Sequence, residues 1–308
     1  MENYQDLPLE LFEKAEVNLD EKEHIAKPSL TAFQDGWIRL KKNKAAVVSL
    51  FILILIFLFA VFGPIFSSYD YAKTDYHHTF QLPSREHIFG TDQFGRDQFA
   101  RIWYGTRISL LIAFAAACLD IFVGVTYGAV SALAGGKVDA VMQRIIEILV
   151  GIPSLIIIIL LMMVMPAGIG TIIIAMSITG WVNMARLVRA QILKLKSQEF
   201  VLAARILGTN SRKIILKHLI PNTMGVIVIN TMFTIPSAIF TEAFLSFIGI
   251  GLSEPRASLG VLINNGYQVL HNFPHLLIYP AIVIVLIMVC FSILGDGLRD
   301  ALDPRMRK

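Results

Sequence analysis

Few side chains in this sequence could carry chemistry, and no reactive set forms among them. Three acids, Asp120, Glu147 and Glu242, lie inside or beside long apolar runs. An ionised side chain at the centre of a helix in lipid costs at least about 2.5 kcal/mol on insertion scales, so each acid is expected to face protein or water. Glu242 is the candidate lining residue of a polar passage, with an interhelical hydrogen bond or a helix-end position as the alternative. Asp92 and Asp97 raise the question of a calcium loop, but the alternating oxygen ligands of such a loop are missing, and carboxylates that brace a turn are expected instead. Cys118 and Cys290 lie in apolar runs without metal-ligand spacing and read as packing residues. No metal ligands are assigned. The sequence has no Gly-x4-Gly-Lys-Ser/Thr phosphate loop, no Gly-x-Ser-x-Gly elbow and no His-Glu-x-x-His helix. ATP hydrolysis and the common hydrolase chemistries therefore have no residues to run on.

Mechanical work fits better. The stretch 191–222 is polar and basic between apolar runs, and it is far longer than the ~2–8 residues that usually join helices. It reads as two short helices. Phe200, Ala203, Ala204 and Leu207 follow the spacing of one apolar stripe, and Gly208 supplies a residue tolerant of positive φ before the helix-start signal Thr209-Asn210-Ser211. Ile214, Ile215 and Leu219 mark the second helix, which Pro221 is expected to stop. Small residues on the first helix suit close docking into a partner's cleft; an amphipathic segment lying on the membrane is the alternative.

These residues must be positioned by membrane helices. Of 308 residues, 55% are hydrophobic and only 16% charged, and mean hydropathy is +0.64, outside the range of soluble proteins. The formal charge of +4 could suggest nucleic acid, but the basic residues flank apolar spans and form no separate face, so no nucleic-acid role is assigned. Six spans are expected near 45–66, 108–134, 141–165, 170–190, 223–250 and 277–295, each about the length a helix needs to cross the hydrocarbon core. The first begins too far into the chain for a cleaved leader and is expected to stay as an anchor. Arg39, Lys41, Lys42 and Lys44 before the first span, the cations from Arg186 to Lys217, and Arg299, Arg305, Arg307 and Lys308 after the last all fall on one predicted side. By the positive-inside rule that side is the cytoplasm, with both termini in it. The fold class is all-α and polytopic. Expected divisions are a tail over 1–36, a first span and outer segment over 37–102, a main membrane body over 103–296 containing the 191–222 loop, and a tail over 297–308. Gly124, Gly128 and Gly135 make the second span small-sided, as close helix packing requires. Gly151-Ile152-Pro153 and Pro236 are candidate breaks in spans three and five.

Several stretches resemble a known family. Ala203, Ala204, Gly208 and Pro221 match the coupling-loop signature of ABC importer membrane subunits, with Leu202 where Glu is expected, His218 for Ile and Ile220 for Leu. The segments His87-Ile88-Phe89-Gly90-Thr91-Asp92-Gln93-Phe94-Gly95-Arg96-Asp97, Thr241-Glu242-Ala243-Phe244-Leu245-Ser246-Phe247 and Gly295-Asp296-Gly297-Leu298-Arg299-Asp300 are similar to the C-type permeases of oligopeptide and dipeptide importers. The resemblance implies a type I permease fold in a bacterial or archaeal plasma membrane and a heterodimer with a second, homologous permease. It also implies two ABC ATPase subunits that use the ATP, no cofactor on this chain, and an extracytoplasmic peptide-binding protein. The cargo would be oligopeptides or dipeptides, or another small solute such as a nickel chelate. The coupling residues it implies are Glu199, Ala203, Ala204, Arg205, Gly208 and Pro221, with Glu199 one turn before the position where the family has its acid. An ion-gradient-driven secondary transporter is the rival; it would call for inverted repeats and paired broken helices, which the sequence does not clearly show.

Overall fold

The computed structural model describes residues 32–302, apart from the side chains at 32, 33, 66, 211 and 212. The expected tail up to residue 31, and Arg305, Arg307 and Lys308, lie outside the described residues. Helix α1 (Ala32–Lys42) precedes α2 (Lys44–Phe66), whose start is capped by Asn43 Oδ1 accepting from the Ala46 amide at 3.2 Å. An outer segment leads to α3 (Gln98–Ala134), α4 (Gly136–Gly151), α5 (Ser154–Val164) and α6 (Ile169–Lys196). The short α7 (Glu199–Ile206) and α8 (Ser211–Ile214) follow, then one π-helical segment, Ile215–Leu219, that runs straight into α9 (Ile220–Phe247). Helices α10 (Leu259–Gln268) and α11 (His275–Leu302) complete the described chain. Phe51 on α2 and Phe122 on α3 stay 65% and 73% exposed, as side chains facing hydrocarbon would.

The core of the bundle is the pair α3 and α6, and its closeness follows from two glycines. A Cβ on Gly124 would meet Met184 and the Trp181 carbonyl oxygen, and one on Gly128 would sit 2.4 Å from the Ala185 carbonyl oxygen. This is the small-residue packing expected of the second span. Gly135 does something else: with φ 61° it ends α3, and a Cβ there would meet nothing.

The same contacts give direction. Positions 124, 128 and 132 on α3 meet 181–184, 185–189 and 196 on α6, the last through Lys196 Nζ donating to the Ala132 carbonyl at 3.2 Å. Both numbers rise together, so the helices are parallel, and the chain between them must return from one membrane face to the other. That return is α4 with α5, which together pass as one span bent by 79°. The third span, expected as one helix, is thus broken. Ile152 sits in the extended region (φ −103°, ψ 126°), where the residue before a proline is driven, and Pro153 begins the next helix. Pro236, by contrast, lies inside unbroken α9. In membrane helices neighbouring groups can re-satisfy the backbone that proline frees.

Counting the bent pair as one crossing gives six. An even count returns the two ends to one face, and their packing agrees: Leu40 and Ala46 cluster with Leu294 and Ala301, and Leu302 reaches Gly36. The divisions expected after residues 36, 102 and 296 fall inside α1, α3 and α11, each an unbroken helix.

Candidate functional site

At the end of the bundle where α3 and α6 finish, α7 forms an elbow. Val201 is fully buried among Ala129, Val188, Ile192, Ile214 and Leu219, with Ala204 packed beside them. The helix ends one residue earlier than its stripe suggests. Gly208, at φ 76°, receives the turn: its amide donates to the Arg205 carbonyl and that of Thr209 to Ala204, both at 3.0 Å. This pairing closes a helix on a left-handed residue. Leu207 is therefore outside the helix, and Ile206 and Leu207 project with 85% and 84% of their surface exposed. Glu199, Ala203, Arg205 and Gly208 are exposed around them, and Ala204 is half-buried. Val201 as the anchor was legible only once the true helix face was known.

Pro221 does not stop a helix. It sits in the first turn of α9, directly after the π segment whose wider register already shifts the backbone bonding. Helical bonding runs through this junction, the Ile220 amide donating to the Ile215 carbonyl, and Pro221 supplies no donor of its own.

On the opposite side, the Asp92–Asp97 stretch builds a clasp. Asp92 Oδ1 accepts from the amides of Phe94 and Arg96, bracing the turn as expected, and Asp97 Oδ1 accepts from the Ala100 amide to cap α3. Gly95, at φ 72°, is required because a Cβ would strike the Asp75 carbonyl. Arg96 is the hub. Its Nε donates to Asp92 Oδ2 at 2.7 Å, and Nη1 and Nη2 fork onto Glu254 Oε2 and Oε1 at 2.8 and 3.0 Å. Burial opposes the charge on Glu254, yet the Arg96 fork outweighs it and holds the carboxyl below its usual value. Burial likewise opposes the guanidinium charge, and Glu254 with Asp92 raises Arg96 above its usual value. The clasp ties the outer segment before α3 to the loop between α9 and α10.

Between these ends lies a cavity of about 300 Å³ at membrane depth, walled by α3, α5, α6 and α9. Asp120, Thr179, Asn183, Asn230, Thr234 and Ser237 give it a polar lining, with Asn183 Nδ2 donating to Asn230 Oδ1 at 3.0 Å across α6 and α9. Apart from Asp120, the sequence reading missed these residues. They are uncharged and scattered over two helices, so only packing brings them together. Glu242 is not among them. It is fully buried, next in the chain to the wall residue Thr241, and accepts from Ser109 Oγ and Ser246 Oγ, both at 2.8 Å. Ser109 Oγ in turn accepts from the Leu259 amide at 3.2 Å. The geometry gives Glu242 the alternative role, an interhelical hydrogen bond joining α3, α9 and α10.

Comparison with known proteins follows this geometry closely. Residues 124–308 match the family described as binding-protein-dependent transport system inner membrane component, and residues 31–83 match the N-terminal TM domain of oligopeptide transport permease C. The chain is 49% identical over 304 residues to the oligopeptide transport system permease protein OppC of Bacillus subtilis, covering 99% of this chain and all of the relative. It is 46% identical to the dipeptide transport system permease protein DppC of the same organism, covering 100% of this chain and 96% of the relative. Among solved structures, an inward-facing conformation of the MetNI methionine ABC transporter aligns with TM-score 0.55 at 18% identity. That alignment covers 66% of this chain and 96% of the other and carries the fold alone.

Proposed function

This chain belongs to the family of binding-protein-dependent transport system inner membrane components, and from that premise we propose that it is the permease subunit of an ATP-driven peptide importer. It carries half of the solute path and turns ATP-driven motion of separate motor subunits into opening and closing of that path. The observation that carries the reading is the elbow: Val201 packs α7 onto the bundle while Ile206 and Leu207 stand exposed beyond it. Large apolar side chains so placed fit a groove on a motor subunit, with Glu199, Ala203, Ala204, Arg205 and Gly208 forming the surrounding contact. Pro221 contributes by setting the start of α9, through which a push on the elbow reaches the cavity.

A second, homologous permease closes the path. Asn183 and Ser237 are exposed at the cavity mouth on spanning helices, and polar groups facing lipid are costly. An extracytoplasmic peptide-binding protein would deliver the solute over the clasp face. ATP is used by two ATPase subunits, and the chain itself holds no cofactor. Identity to peptide permeases along the whole length weighs against ion-gradient coupling.

The test is peptide uptake into proteoliposomes holding the chain with its partner subunits and binding protein. Uptake is expected to need internal-motor ATP and to persist with an ionophore present. Uptake that survives without ATP, or collapses with the ionophore alone, refutes the proposal.

A further inference from the structure

We propose that Asp120 is a subsite for a protonated amine within the translocation cavity, where its carboxylate accepts the α-ammonium of the passing peptide. The inference rests on the peptide-importer reading and adds the chemistry by which the path recognises its cargo. Asp120 is only 5% exposed, yet its Oδ1 has no hydrogen-bond partner among the described residues. Buried carboxylates are ordinarily paired, as Glu242 is by two serine hydroxyls. Asp120 differs in bordering open space: it lines the cavity beside Gly180, where even a Cβ would fall 2.5 Å from its Oδ2. Gly180 thus admits the carboxylate at the cavity wall, where any side chain at that position would collide with both of its oxygens.

The remaining wall is suited to an ammonium group and not to an anion. None of the residues lining the cavity carries a positive charge. Thr179, Asn183, Asn230 and Thr234 offer hydroxyl and carbonyl oxygens to the two N–H donors that a single carboxylate oxygen leaves over. A second cavity shares Ser154, Thr179, Gly180 and Asn183 with the first and adds Arg186. Arg186 lies on α6 beyond Gly180, about 9 Å along the axis at 1.5 Å per residue. An extended peptide covers that distance in about three residues. One negative and one positive group along one cleft match the two ends of a short zwitterion.

The experiment uses the whole complex in proteoliposomes with the binding protein saturated by a neutral tripeptide. Asp120→Asn keeps the shape and removes the charge. Uptake is expected to fall at least tenfold, and Asp120→Glu is expected to restore most of it. A second variant, Asp120→Cys on a Cys118→Ser background, is treated with methanethiosulfonates of similar size bearing a sulfonate or a trimethylammonium. Cys118 is exposed and must be removed, whereas Cys290 is buried. The sulfonate is expected to raise uptake several-fold above the trimethylammonium. Equal effects of the two reagents, or wild-type uptake by Asp120→Asn, overturn the subsite. Absence of ATP-dependent uptake in the unsubstituted complex overturns the importer reading instead, so the two failures are told apart.

Discussion

Arg96 is the residue whose loss the clasp should feel most, and Arg96→Lys isolates geometry from charge. Three charge-assisted hydrogen bonds converge on its guanidinium, at 2.7, 2.8 and 3.0 Å. A lysine ammonium at that site can keep one of them, because it lacks the planar fork that grips a carboxylate with two parallel bonds. Hydrogen bonds to charged groups contribute about 1.5–3 kcal/mol each when buried. The Asp92 bond falls in that class, since both side chains are buried. The Glu254 side chain is 37% exposed, so its share is cut by solvent screening to about 0.5–1 kcal/mol. The expected cost is therefore ~0.5–3 kcal/mol, at the low end where the ammonium keeps Asp92 and at the high end where it keeps one oxygen of Glu254. The assay is thermal unfolding in nanodiscs followed by fluorescence of Trp103, whose ring stacks on Phe59 at 4.8 Å and meets Phe99 edge-on. Arg96→Lys, Glu254→Gln and the double variant form a cycle. A coupling of about 0.5–1 kcal/mol between the two is expected. If the two losses simply add, the fork is not energetically real and the argument fails. The pH dependence has a definite sign. Arg96 holds the Glu254 carboxyl below its ordinary value of 4.5, so the pair stabilises fully above that pH and the contribution drains away as pH falls through the lowered value. Glu254→Gln should flatten this acid limb and leave the neutral range little changed in slope.

Other expectations follow from single contacts. Gly128→Val should destabilise the α3–α6 pair by about 1–3 kcal/mol, because its Cβ meets a backbone oxygen that cannot swing aside, whereas Gly151→Ala, with nothing within 4 Å, should be silent in the same unfolding assay. Glu242→Ala strands the Ser109 and Ser246 hydroxyls and should cost about 1–3 kcal/mol, while Glu242→Gln keeps an acceptor and should transport nearly normally; uptake abolished in a stably folded Glu242→Gln would return Glu242 to the solute path. Leu207→Asp should leave unfolding within about 0.5 kcal/mol of wild type, since the side chain is 84% exposed, yet lower ATP-dependent uptake at least tenfold; retained uptake would remove the elbow from the coupling role.

The spans, the elbow's first helix and the turn at Gly208 could be read from the order of residues because each is local, whereas the second helix, expected to stop at Pro221, runs on into α9. An apolar run long enough to cross hydrocarbon declares itself, and a glycine followed by Thr209-Asn210-Ser211 marks an end and a start within one turn. The break at Ile152-Pro153 was visible as a possibility for the same reason, and Asp92 and Asp97 announced their turns through short-range bonding. Other features depended on which helix faces meet. The cavity-lining set around Asp120, with Asn183, Asn230 and Ser237, consists of residues from distant parts of the chain that look ordinary one at a time. Glu242 and Asp120 are both acids at membrane depth, and nothing in their local sequence separates them. Tertiary packing placed serine hydroxyls from α3 and α9 against one and left open space beside the other, so the same carboxyl group becomes a structural tie in the first case and an unsatisfied acceptor in the second.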